Sequence, residues 1–221
     1  MSDGGTYDGP PFHVRAMPEV NSDHRLAPMA ERAGRALLAA KHTVVVCENT
    51  AAGLTQAALQ SVSGASTYVT CSAVAYNPKK AIPLLGDVLP DEAVLNHFQT
   101  GFADGAAYIE SKKAFTAYTA RRLREKVGAT WCVSEGGATG PTFRYEGITK
   151  GFTAVFVAGP IERGVIFEST HAQREQNMWA FAQAALDLLA ECVEEAAVAE
   201  AASTADTPSA GSFSGGKRPR E

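Results

Sequence analysis

The sequence predicts an α/β protein, a three-layer α/β/α sandwich with a mixed sheet, over about residues 24–200. Three observations carry that prediction. Segments of helical periodicity alternate with short apolar runs, which favours strands covered by helices on both faces. The first such run, "HTVVVCE", is continuous and β-branched, as a fully buried central strand requires. Two later runs, "GFTAVFVAGP" and "RGVIFES", are separated only by a short Gly/Pro-containing turn, which makes an antiparallel hairpin and a mixed sheet.

Each element has its own signal. From Arg25 to Lys41, Leu26, Met29, Ala30, Ala33, Leu37 and Leu38 recur at helical spacing. After the first strand, residues 50–62 read as a second helix closed by Gly64, and "STYVTCSAVAY" as a second strand. Pro78 is suited to the first turn of a short helix ending near Gly86. A long helix is expected from Asp104 to Val127, with Arg121, Arg122, Arg124 and Lys126 near its C-terminus, where cations complement the helix dipole. "ATWCVSE" is a third strand, the hairpin follows, and a last helix covers Gln173 to Val198 with Trp179, Phe181, Ala182, Ala185, Leu186 and Leu189 for the core. The Gly-, Pro- and Asp-rich residues 1–23 read as a flexible arm, and the low-complexity residues 201–221 as a disordered tail.

Composition narrows the function. The 221 residues carry a formal net charge of -4, and the sequence pI is 5.8. No global positive field is present to hold nucleic acid or an anionic membrane, so neither is expected as a partner. Cys47, Cys71, Cys132 and Cys192 lie far apart, with no CxxC and no Cys/His cluster at ligand spacing. They read as reduced cysteines, with no metal site. With no apolar signal core or membrane-length apolar stretch, a cytoplasmic protein is expected. The terminal "GGKRPRE" also has the composition of a short nuclear-import patch.

Ligands of such sheets collect beyond the carboxyl ends of strands, where loops lead into helices. Two loops have the composition for it. In the first, Glu48, Asn49, Thr50 and Gly53 lie at the mouth of a helix, whose unpaired N–H groups favour an anion or a developing oxyanion; Asn49 or Thr50 equally suits an ordinary helix cap. In the second, "SEGGATGPTFRYEG", glycines including Gly137 and Gly140 allow backbone N–H groups close to a ligand, and Arg144 offers a guanidinium fork to a phosphate.

"ENTAAGL", "GAS", "VAY", "LLG", "GATGP" and "GFTAVFVAG", in that order, resemble the C-terminal domain of CinA, the nicotinamide-nucleotide amidase family. The resemblance covers about Arg25 to Glu194. It implies binding of nicotinamide mononucleotide or a related nucleotide. It further implies hydrolysis of the carboxamide to nicotinate mononucleotide and ammonia, with no metal or other cofactor, in a homo-oligomer. The family's E-S-x-T-G-G loop supplies a serine nucleophile, and a tyrosine and a following lysine assist it. A hydroxyl needs such a neighbouring base to become an effective nucleophile.

Carried onto this chain, Glu48, Gly53 and Tyr76 match that pattern, whereas Asn49 stands at the serine and Ala81 at the lysine. The motif threonine and first glycine are Ala51 and Ala52. An asparagine amide has no hydroxyl and can at most donate hydrogen bonds to a carbonyl oxygen. Two readings follow. Thr50 acts as a displaced nucleophile with Lys80 or Lys79 as base and Tyr76 as helper, or the domain keeps the nucleotide pocket as a catalytically silent binding module. Gly137, Thr139, Gly140 and Arg144 are expected around the substrate, and Arg174 stands where family members carry an arginine ahead of the last helix, a place suited to substrate contact or a salt bridge. His42 and His97 are isolated and read as surface or core residues.

Overall fold

The computed structural model describes residues 9–19, 23, 25–90 and 101–205. Six strands form one sheet: β1 (His13–Ala16), β2 (Val44–Glu48), β3 (Val69–Val74), β4 (Trp131–Ala138), β5 (Phe152–Ala158) and β6 (Arg163–Glu168). The helices are α1 (Leu26–Ala40), α2 (Leu54–Ser61), α3 (Pro78–Leu85), α4 (Gly105–Val127) and α5 (Arg174–Ala205).

Strand order is β1-β6-β5-β4-β2-β3. β2 lies parallel to β3 and β4, β5 is antiparallel to β4 and β6, and β1 runs parallel to β6. The mixed sheet and the β5–β6 hairpin are those the sequence predicts.

Two-residue alternation along the central strands divides the core into two faces. Val44 and Val46 of β2 with Val155 and Val157 of β5 join Met29, Leu37, Leu59, Trp131, Phe181 and Leu186 under α1, α2 and α5. Val45, Cys47, Phe156 and Ala158 turn the other way, onto Phe115 and Leu123 of α4. Every residue of β2 is therefore buried, which explains its unbroken apolar run.

Several boundaries differ from expectation. Residues 13–16, placed in a flexible arm, form an edge strand. The Phe12 ring packs 5.8 Å from that of Phe156, and Arg15 pairs with Glu191 of α5 at 2.9 Å. Four residues carry too little periodicity to announce a strand; the open edge of β6 selects it. Helix α2 starts at Leu54 rather than residue 50, because Ala52 and Gly53 adopt left-handed backbone angles, φ 59° and 99°. β3 starts at Val69, after a 3-10 turn over Ala65–Thr67, and stops at Val74. β4 continues through Gly136, Gly137 and Ala138, which composition suggested as loop. Helix α5 extends to Ala205, so residues 201–205 of the expected tail are helical. His97 and "GGKRPRE" lie outside the described residues.

The basic end of α4 is used within the fold. Arg121 pairs with Glu162, Arg122 and Lys126 with Asp87, and Arg124 donates to the Thr130 carbonyl. His42 accepts from the Trp131 indole N–H through Nδ1 at 3.1 Å and faces Glu200 through Nε2 at 3.7 Å, a structural placement.

Candidate functional site

β2 and β4 lie side by side, with Cys47 opposite Ser134. This register brings Glu135 to the turn that follows Glu48. Two buried carboxylates then organise that turn. Glu48 reaches forward, accepting the N–H of Thr55 at 2.8 Å through one oxygen and that of Gln56 at 3.3 Å through the other. Glu135 accepts the N–H groups of Asn49, Thr50 and Ala51 on Oε2 at 3.2, 2.9 and 2.8 Å. Its Oε1 receives the hydroxyls of Thr50 and, at 2.7 Å, Thr153.

The turn's N–H groups, expected to favour an external anion, are thus filled by the protein's own carboxylates. Glu48 serves the turn and Gly53, with its left-handed backbone, the start of α2; neither lines the cavity above the turn. Burial pushes the Glu48 carboxyl up to about 7, against the downward effect of the Thr55 and Gln56 hydrogen bonds; the charge of Glu135 adds to the rise.

Above the turn lies a cavity of about 230 Å³. Its wall brings together Asn49, Thr50, Tyr76, Gly137, Thr139, Gly140 and Arg174 of the residues expected from sequence. The backbone of Gly137 passes directly against that of Phe152, and a Cβ there would strike the Phe152 carbonyl. Arg174 holds three parts of the wall, donating to Thr139 Oγ1 at 3.0 Å, to the Gly140 carbonyl at 3.4 Å and to Tyr76 Oη at 2.8 Å. Asn177, one turn along α5, donates to the Thr139 carbonyl at 2.7 Å.

Lys80 and Lys79 do not line this cavity. Pro78 does, and successive helical residues point about 100° apart, so the next two side chains of α3 are carried round and away. Lys80 is in the first turn, where its backbone N–H donates to the capping side-chain oxygen of Asn77 at 3.2 Å. Arg144 lies in a neighbouring hollow of about 200 Å³, its guanidinium 5.7 Å over the Tyr145 ring. Phe102, Tyr108 and Tyr145 pack together and fix that loop. The two hollows share Tyr108, Ala138 and Thr142 as walls.

The lysine in the cavity wall is Lys112, from the middle of α4. It is 3% exposed and donates to Asn49 Oδ1 at 3.4 Å, with its ammonium 5.3 Å from the Tyr108 ring and 5.8 Å from the Phe115 ring. Burial lowers its pKa to about 8, partly opposed by the charge of Glu135. Asn49 gives its amide N–H to the Ala75 carbonyl at 2.5 Å, so both ends of its side chain are engaged.

Sequence reasoning singled out neither Lys112 nor Glu135. Lys112 had a readable signal, since it shares a helix face with Tyr108, Phe115, Thr116 and Thr119 and a lysine there must be buried. Glu135 lies within a buried strand, but its partners in the turn lie 84 to 86 residues away, beyond any local pattern. Among the described residues, no group of three or more His, Cys, Asp or Glu side chains could hold a metal ion, and no helix is long and apolar enough to cross a membrane.

Residues 26–193 match the model of the CinA C-terminal domain. A CinA-like protein of Desulfosudis oleivorans is 34% identical over 141 residues, which are 64% of this chain and 31% of that protein, so the chain spans about a third of that relative. The fold is similar to a competence or damage-inducible protein from Enterobacter asburiae, with TM-score 0.61, 12% identity and coverage of 77% of this chain and 99% of that one. It is also similar to the competence/damage inducible protein CihA from Agrobacterium tumefaciens, with TM-score 0.61, 18% identity and coverage of 80% and 99%.

Proposed function

This chain belongs to the CinA family, and we propose that it binds a nicotinamide-type mononucleotide in the cavity above the 49–53 turn, with carboxamide hydrolysis absent or very slow. One observation carries the reading. Asn49 stands where the family's serine is expected, and its amide is tied to Lys112 and to the Ala75 carbonyl, which leaves neither a hydroxyl nor a mobile group there. The cavity itself keeps the properties of a small-ligand site: it is concave, backed by an aromatic cluster, and carries two cationic side chains, Lys112 and Arg174.

A second reading rests on the hydrogen bond from the Thr50 hydroxyl to Glu135. In it, Thr50 gives its proton to the carboxylate and its oxygen attacks the carboxamide carbon. Ammonia leaves with that proton, and water then hydrolyses the ester. Against it stand the four other donors that Glu135 already accepts, which make the carboxylate a latch for the turn.

Ammonia release from nicotinamide mononucleotide by the wild type and by Thr50→Ala separates the two. The expected result is no turnover in either protein, with a thermal shift on adding the nucleotide to the wild type. Robust wild-type turnover abolished by Thr50→Ala would establish the second reading. Family membership also supports a homo-oligomer, for which the outer strands β1 and β3 offer sheet edges. Light scattering that finds monomer alone at micromolar concentration would contradict that part.

A further inference from the structure

We propose that the cavity selects a ligand bearing a carboxylate in addition to a phosphate, so that among mononucleotides it takes the acid form, nicotinate mononucleotide, over the amide. The inference rests on the mononucleotide reading above for its scaffold and on the chemistry of the wall for its selectivity.

Two cationic donors stand in that wall, and several of its acceptors are occupied by the protein's own groups. Lys112 and Arg174 are donors without acceptor atoms, and both line the cavity. Several acceptors around them already take a donor. Asn49 Oδ1 takes Lys112, the Gly140 carbonyl and Thr139 Oγ1 take Arg174, the Gly137 carbonyl takes the Tyr108 hydroxyl at 3.3 Å, and Glu135 takes five donors. A ligand carboxamide brings an NH2 group that needs acceptors and would compete for these. A carboxylate brings acceptor oxygens alone, and charge-assisted hydrogen bonds to them are about twice as strong as neutral ones.

Placement separates the roles of the two cations. Arg174 is held by Tyr76, Thr139 and Gly140, in the backbone-rich part of the wall suited to a phosphate. Lys112 lies beside Asn49, on the floor formed by the β2–α2 turn. Its pKa of about 8 keeps most of it charged at pH 7.

Titration calorimetry on the full chain at pH 7 with nicotinate mononucleotide and nicotinamide mononucleotide tests the proposal. The acid is expected to bind about tenfold tighter or better. Lys112→Met should bring the two affinities together by removing the ammonium. Asn49→Asp should do the same by supplying Lys112 with an internal carboxylate, which gives a second route to the answer if Lys112→Met does not fold. Melting curves verify each variant. Equal binding of the two nucleotides by the wild type, or a preference unchanged in a folded variant, overturns the selectivity while leaving the mononucleotide reading intact. Failure of both nucleotides to bind the folded wild type overturns the reading itself, and this inference with it.

Discussion

Thr50 gives both its backbone N–H, at 2.9 Å, and its side-chain hydroxyl to the carboxylate of Glu135, 85 residues further along the chain. With Asn49 and Ala51 on the same carboxylate, this latch fixes the β2–α2 turn against β4 and sets the floor of the cavity.

Replacing Glu135 with alanine leaves buried donors without acceptors, and each such group costs about 1–3 kcal/mol. Neighbouring donors relax together, so a total loss of about 3–5 kcal/mol is expected in urea unfolding, with nucleotide binding lost in parallel. Thr50→Val, which removes one hydroxyl and keeps the shape, should cost about 1 kcal/mol. A smaller effect for Glu135→Ala than for Thr50→Val would show that the latch is not what holds the turn.

Glu48 makes stability depend on pH. Its carboxyl titrates near 7 in the folded chain and near 4.5 when unfolded, so between those values the folded state binds more protons and stability falls as pH rises. The contribution is fully present below about pH 4.5, is lost through pH 7, and amounts to roughly 3 kcal/mol. Glu48→Gln should flatten the slope of unfolding free energy over that interval. A wild-type slope unchanged by the substitution would refute the assignment.

Ala52 sits at φ 59°, where a Cβ is unfavourable by roughly 1–2 kcal/mol and glycine is not. Its side chain is exposed, so little packing is lost on removing it. Ala52→Gly is therefore expected to raise stability by about 0.5–1 kcal/mol despite the larger entropy of the unfolded glycine chain. A drop in melting temperature would indicate that the turn is not left-handed in solution.

Arg174 and Arg144 should differ as ligand contacts. Charge reversal at Arg174 is expected to weaken mononucleotide binding by about 2 kcal/mol or more, whereas the same change at Arg144, in the adjoining hollow, should cost less than about 1 kcal/mol. Calorimetric titration of both variants gives the comparison. The opposite order would move the phosphate to the aromatic hollow.

The layered α/β architecture was legible in the sequence because it follows from local periodicity. The β-branched run "TVVVC" reads as a strand buried on both faces, and the short Gly/Pro-containing turn between Ala158 and Arg163 as the close of a hairpin, as the structure has them. The 48–53 and 134–147 segments stood out in the sequence because strand ends leading into turns are where such sheets collect ligands, and the fold brings Asn49 and Thr50 of the first and Gly137, Thr139 and Gly140 of the second to one cavity. What surrounds those loops was decided in three dimensions. The sequence offered Lys80 and Arg144 by proximity, but helical rotation carries Lys80 away from the cavity and the Tyr145 stack holds Arg144 beside it. Lys112 and Arg174 enter from helices packed on opposite faces of the sheet, and Glu135 enters through the register of β4 against β2. Periodicity reports which face of an element is buried; which buried faces meet depends on strand order and register, and that order brought Glu135 to Thr50 and Lys112 to Asn49.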